Sequence, residues 1–134
     1  MFTVEHHVGR LGEIRFDALR SEDMSLYRVR FTQLLQDVRG KLVFCSDLRA
    51  AESVSREVEQ QGVSLMRAAT PRIERAAMLV SPRSKLGVQM LRAILSTDSH
   101  VRRAFQDPAD AARWLDEVLD AAERRRLRAF LRID

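Results

Sequence analysis

The residues of this sequence whose types could do chemistry are three histidines, one cysteine, and an acid and a base two positions apart at Asp47 and Arg49. His6 and His7 adjoin in a segment with strand character, so their side chains point to opposite faces and do not chelate one ion. His100 lies far along the chain and Cys45 is the sole thiol, so no metal-ligand spacing results and no metal is expected. Cys45 ends an apolar run, the setting of a small buried hydrophobe rather than a nucleophile. Asp47 is the nearest base to it, and no histidine stands close in sequence to complete a relay. Together these absences argue for a non-enzymatic protein that needs no cofactor.

Gly9-Arg10-Leu11-Gly12 is too short for a phosphate-cradling fingerprint, whose glycines follow a strand and open a helix; it reads as a hairpin turn. The segment Ser46 to Ser53 leaves the carboxyl end of a predicted strand, where ligands and partners gather in sheets of parallel strands. Ser46, Asp47, Arg49 and Glu52 there, with Arg83 and Lys85 after the next strand, are the candidate partner- or ligand-binding residues. The competing reading of Asp47 and Arg49 is an ordinary loop ion pair. A second candidate is an anion patch at Arg124, Arg125, Arg126 and Arg128, in a tail where five arginines face three acids. Cations in the last turns of a helix are also what its dipole favours, so a solvated helix end is the plainer account.

Elements must position these residues, and the apolar spacing predicts them. Phe2–Val8 and Leu11–Ala18 read as an opening hairpin. Ser21 caps a first helix carrying Met24, Tyr27, Phe31, Leu34, Leu35 and Val38, which ends near Gly40. Lys41–Cys45 is a short buried strand. A second helix follows, capped by Ser53 or Ser55 and stopped before Pro71. Ala76–Val80 is another buried strand, and Leu86, Met90, Leu91, Ile94 and Leu95 define a third helix. His100–Gln106 is strand-like, with Val101, Arg103 and Phe105 on one side. Asp107-Pro108-Ala109-Asp110 announces a last helix with a cap, a proline at the first position and an acid at the third. Its apolar stripe runs from Leu115 to Leu131, as one helix or two. Trp114 follows that stripe and reads as core or interface. Single strands alternating with helices argue for an α/β domain with a mostly parallel sheet of four to five strands, opened by a hairpin and flanked by about four helices.

Composition agrees. The chain has 134 residues, enough for one domain over 1–134 with a basic helical extension at about 120–134. It is 46% apolar and 31% charged, with no run of the ~20 apolar residues a membrane helix needs. No basic segment leads into an apolar stretch at the start, so the cytoplasm is the default address. A net charge of +4 raises the question of nucleic acid or an anionic surface. Nucleic-acid binding, however, wants aromatics interleaved with bases on exposed strands, and the 6% aromatics fall mostly at core spacing.

With the order in view, the sequence resembles the SpoIIAA-like branch of the STAS superfamily over nearly its whole length. The residues that carry the likeness are Asp47-Leu48-Arg49 at a strand end before the second helix, and the closing Phe105-Gln106-Asp107-Pro108 leading into Ala111-Ala112-Arg113-Trp114-Leu115. The resemblance implies a four- or five-stranded sheet flanked by helices and a non-enzymatic role in protein partner switching, or in binding a small apolar or lipidic ligand. The phosphorylatable Asp-Ser-Ser-Gly or Asp-Ser-Thr-Gly motif of the anti-anti-sigma members is missing from Asp47–Ser55, so a phosphoswitch is not carried over. The expectation is a regulatory interaction module with an unidentified protein partner. The alternative is a carrier or sensor for a small apolar ligand, and a third reading is anionic-surface or nucleic-acid binding through the basic tail. The first requires a packed core and an exposed apolar patch, the second a cavity of ~300–1,000 Å³. A homodimer is compatible with a final amphipathic segment longer than one sheet face can cover.

Overall fold

A computed structural model describes residues 1–97 and 100–134. The hairpin is formed by β1 (Phe2–Val8) and β2 (Leu11–Phe16), paired antiparallel from Phe2 opposite Phe16 to Val8 opposite Leu11. Its two glycines meet different needs. Gly9 sits at φ +57°, where side chains are rarely tolerated, and a Cβ there would lie 2.2 Å from the Glu123 carboxylate. Gly12 leaves room for the Phe44 ring, which a Cβ would meet at 2.5 Å.

Three parallel strands follow: β3 (Leu42–Asp47), β4 (Ile73–Leu79) and β5 (Arg102–Phe105). The sheet order is β1-β2-β3-β4-β5, so each strand lies beside its predecessor. Crossovers between parallel neighbours take one hand, and a strand order that never reverses therefore puts every crossover helix on the same face. Those helices are α1 (Met24–Asp37), α2 (Arg56–Ala69) and α3 (Leu86–Ser96). With Ile14, Phe16, Leu42, Phe44, Ile73 and Ala76 of the strands they enclose the larger core. A run of rings fastens α1 to the sheet, with Phe2 5.5 Å from Tyr27, Tyr27 6.3 Å from Phe31 and Phe31 5.3 Å from Phe44.

The opposite face would be bare without the last part of the chain. There α4 (Pro108–Asp116) and α5 (Ala121–Leu131) cover Leu11, Val43, Cys45, Ala77 and Leu79, forming a second core around Leu115, Leu127 and Leu131. The apolar stripe is thus two helices. Asp120 breaks it as a new N-cap, accepting from the Glu123 amide while the Glu123 carboxylate accepts from the Asp120 amide.

The observed elements are those expected in kind and order, with differences at the ends. Ser21 does not cap α1: a single 3₁₀ turn at Ser21–Asp23 precedes it, the Asp23 carboxylate accepts from the Arg20 amide, and the Ser21 hydroxyl donates to Glu57. Ser55 rather than Ser53 caps α2, accepting from the Val58 amide at 3.1 Å. The strand expected at Ala76 begins at Ile73, because the 3₁₀ turn around Pro71 ends there and the backbone goes straight into the sheet. Val101 packs in the first core and Phe105 in the second, so they do not share a side.

Candidate interaction surface

Asp47 closes β3 on the face toward α5 and is buried. Its carboxylate accepts from Arg49 Nε and Nη2 at 3.0 Å each and from the Arg49 amide at 3.3 Å. Arg15 Nη2 stands 3.4 Å away. Burial alone would raise this carboxyl, but the Arg49 hydrogen bonds and the two guanidinium charges outweigh it and hold its pKa below the usual 3.8. Hydrogen bonding to Asp47 raises Arg49 in return. Arg15 also donates to the Phe130 carbonyl at 2.6 Å and lies 4.4 Å over the Phe130 ring. The cluster ties the ends of β2, β3 and α5 together, and it turns Asp47 inward.

Ser46 is buried on the other face. It lines a cavity of about 90 Å³ between the sheet and the α1–α3 layer, to which Met24, Met66, Met78 and Met90 also contribute. Arg102, buried at the rim, donates to the Thr70 hydroxyl and the Met66 carbonyl at 2.8 Å each, so it serves the C-terminal turn of α2. Its desolvation lowers its pKa to about 10.

Glu52, Arg83 and Lys85 are exposed. The Glu52 carbonyl accepts from the Leu86 amide at 2.9 Å. Two residues on, the Gln89 side chain clasps Val54 in both directions: its Nε2 donates to the Val54 carbonyl at 2.8 Å, and its Oε1 accepts from the Val54 amide at 3.0 Å. The loop after β3 and the helix after β4 therefore form one surface, which brings Glu52 beside the Arg83–Lys85 turn and leaves Ser46 buried on the same side of the sheet and Asp47 on the opposite one.

Along α3 that surface becomes apolar. Val88, Leu91 and Leu95 are 69%, 54% and 73% exposed, at i, i+3 and i+7 on one side of the helix. Leu86, Ala93 and Ile94 take the buried side. Leu91 and Leu95 belong to the apolar set expected for this helix, whose spacing alone does not separate outer from inner positions. A smaller pair on α1, Leu26 and Val29, is also exposed.

The C-terminal arginines do not form one free patch. Arg126 makes a bidentate pair with buried Glu13, both contacts at 2.7 Å, and Arg128 does the same with Asp116 at 3.0 and 2.7 Å. Those hydrogen bonds raise the pKa of both arginines. Arg124 donates to the Asp116 carbonyl, and Arg125 is exposed. These arginines chiefly hold α5 to β2 and to α4.

His6 Nε2 donates to the Gly9 carbonyl, and His7 pairs with Glu5. Cys45 is fully buried, and desolvation pushes its thiol far above the usual range. Trp114 packs on Phe105, with Arg75 and Arg103 near its ring. Among the described residues no helix is long and apolar enough to cross a membrane. No family model, curated protein or solved structure matches the chain.

Proposed function

We propose that this chain is a non-enzymatic regulatory protein-interaction module of the SpoIIAA-like STAS kind, which docks through the outer face of α3 and the loop clasped to it. The carrying observation is the stripe of Val88, Leu91 and Leu95, exposed on an element whose other side is fully packed. A hairpin-led sheet with sequential parallel strands supports the family reading. The apolar cavity favours interaction over carriage, since about 90 Å³ is well short of the ~300–1,000 Å³ of small-molecule sites, and the larger grooves at the surface are open and lined mostly by polar side chains.

Burying three such side chains contributes about 3–6 kcal/mol before the costs of association. That suits a partner that exchanges rather than a permanent one. The test is quantitative affinity capture from host lysate with the native chain and with a Leu91→Asp/Leu95→Asp variant, folding being checked by circular dichroism. The expected result is a partner retained by the first and lost by the second. An unchanged set of captured proteins sinks the proposal, as does a small molecule found bound by native mass spectrometry and released on denaturation.

A further inference from the structure

The outer face of α3 has a charge pattern as well as an apolar one. From Val80 to Thr97 the sequence contains no aspartate or glutamate, and Asp98 is the next acid. Arg83 and Lys85 stand exposed at the start of the helix. Across a groove of about 550 Å³ between α2 and α3, Arg56 and Arg67 stand on the far bank, with Glu59, Gln60 and Val63 between them. Arg67 donates to the Ser96 carbonyl at 2.7 Å, which lays its guanidinium over the last turn of α3. None of these four cations pairs with a carboxylate among the described residues. Arg92 is different, since Glu59 neutralises it through two contacts of 2.9 Å and is itself largely buried. Exposed Glu52 is the acid brought to this surface by the backbone bond to Leu86.

We infer that the partner of this face is an amphipathic helix whose apolar seam is bordered by acidic side chains. The inference rests on the interaction reading above and adds the partner's chemistry. Spacings of three and four residues present ridges that another helix's grooves accept, and the stripe from Val88 to Leu95 rises about 10 Å, or two turns. Border cations at both ends and along one bank favour carboxylates opposite them. A second copy of the same face would bring like charges together, which disfavours self-docking. An anionic membrane shares the charge preference. It is better served by a longer face with aromatic anchors, whereas this one carries three aliphatic side chains.

The probes are two synthetic helical peptides with the same leucine seam, one with glutamates and one with lysines at the bordering positions. Binding to the full chain is read by fluorescence anisotropy at about 50 and 300 mM salt, where screening lengths differ. The glutamate peptide is expected to bind at least ~10-fold tighter, with the gap narrowing at the higher salt. Arg83→Glu/Lys85→Glu is expected to reverse the preference, and Leu91→Asp/Leu95→Asp to abolish binding. Equal affinity for the two peptides, or no binding of either, overturns the inference. So does Leu91-dependent association with phosphatidylglycerol vesicles, or self-association in sedimentation, in the absence of peptide binding. If lysate partners still depend on Leu91 and Leu95 while the peptides are not distinguished, the interaction reading stands and the acidic helix falls.

Discussion

The side-chain amide of Gln89 is bonded at both ends to the backbone of Val54, donating at 2.8 Å and accepting at 3.0 Å. A loop that leaves one strand is thereby held by a helix that follows the next. Gln89→Ala removes both bonds and leaves the partly buried Val54 groups to water. The expected cost is about 1–2 kcal/mol in urea denaturation. Amide exchange at Val54 should rise by more than that at Val43, which sits in the middle of the sheet. Equal protection of Val54 in both proteins would show that the loop does not depend on the clasp.

Asp47 sets a pH dependence. Its carboxyl lies below the ordinary 3.8 when folded, so the unfolded chain takes up a proton first as pH falls. Its contribution is fully present above the unfolded value, and is lost as pH drops from about 4 through the folded pKa. Asp47→Asn should have a flatter stability profile than the native chain over that window, with little difference in slope above pH ~5. Parallel profiles in acid, followed by thermal melts, would contradict the geometry around Arg49.

Glu13 is buried and has Arg126 as its bidentate partner. Arg126→Ala strands that carboxylate and is expected to cost about 2–4 kcal/mol, reduced from the fully buried case because Arg126 is partly exposed. Arg125→Ala, one residue away on the solvent side, should fall within about 0.5 kcal/mol of the native chain. Similar losses for the two would mean that the tail works by its total charge rather than by its pairing. The double change Glu13→Gln/Arg126→Met should recover much of the loss.

Cys45 should be inert in the folded protein, since it is fully buried and its thiolate is strongly disfavoured. Labelling by a maleimide is expected to track global unfolding across a denaturant series. Rapid labelling in the absence of denaturant would point to an opening of the α5 face that the packing does not suggest.

What the sequence made legible follows from how local each signal is. Asp107-Pro108 announced α4 because a cap and an N1 proline act within one turn, and the crossover order followed from apolar runs of contrasting length and period. The break at Asp120 has an equally local sign, a capping box with Glu123, but the continuous apolar stripe across it hid the boundary. Glu13 with Arg126, or Arg10 with Glu74, were out of reach, because such pairs join residues far apart in the chain. So was the exposure of Leu91 and Leu95, since a helix with apolar residues on two sides does not reveal which one meets the sheet. Of the candidate loop, the place at the strand end was legible but the inward turn of Asp47 was not.

The late helices have a consequence for aggregation. One side of the sheet is sealed only by Pro108–Leu131, so a chain from which these two helices have come away holds Leu11, Val43 and Leu79 uncovered. In that state the protein presents a half-finished, aggregation-prone slab. Detachment of the last two helices, rather than loss of the larger core, should therefore be the opening that feeds aggregation.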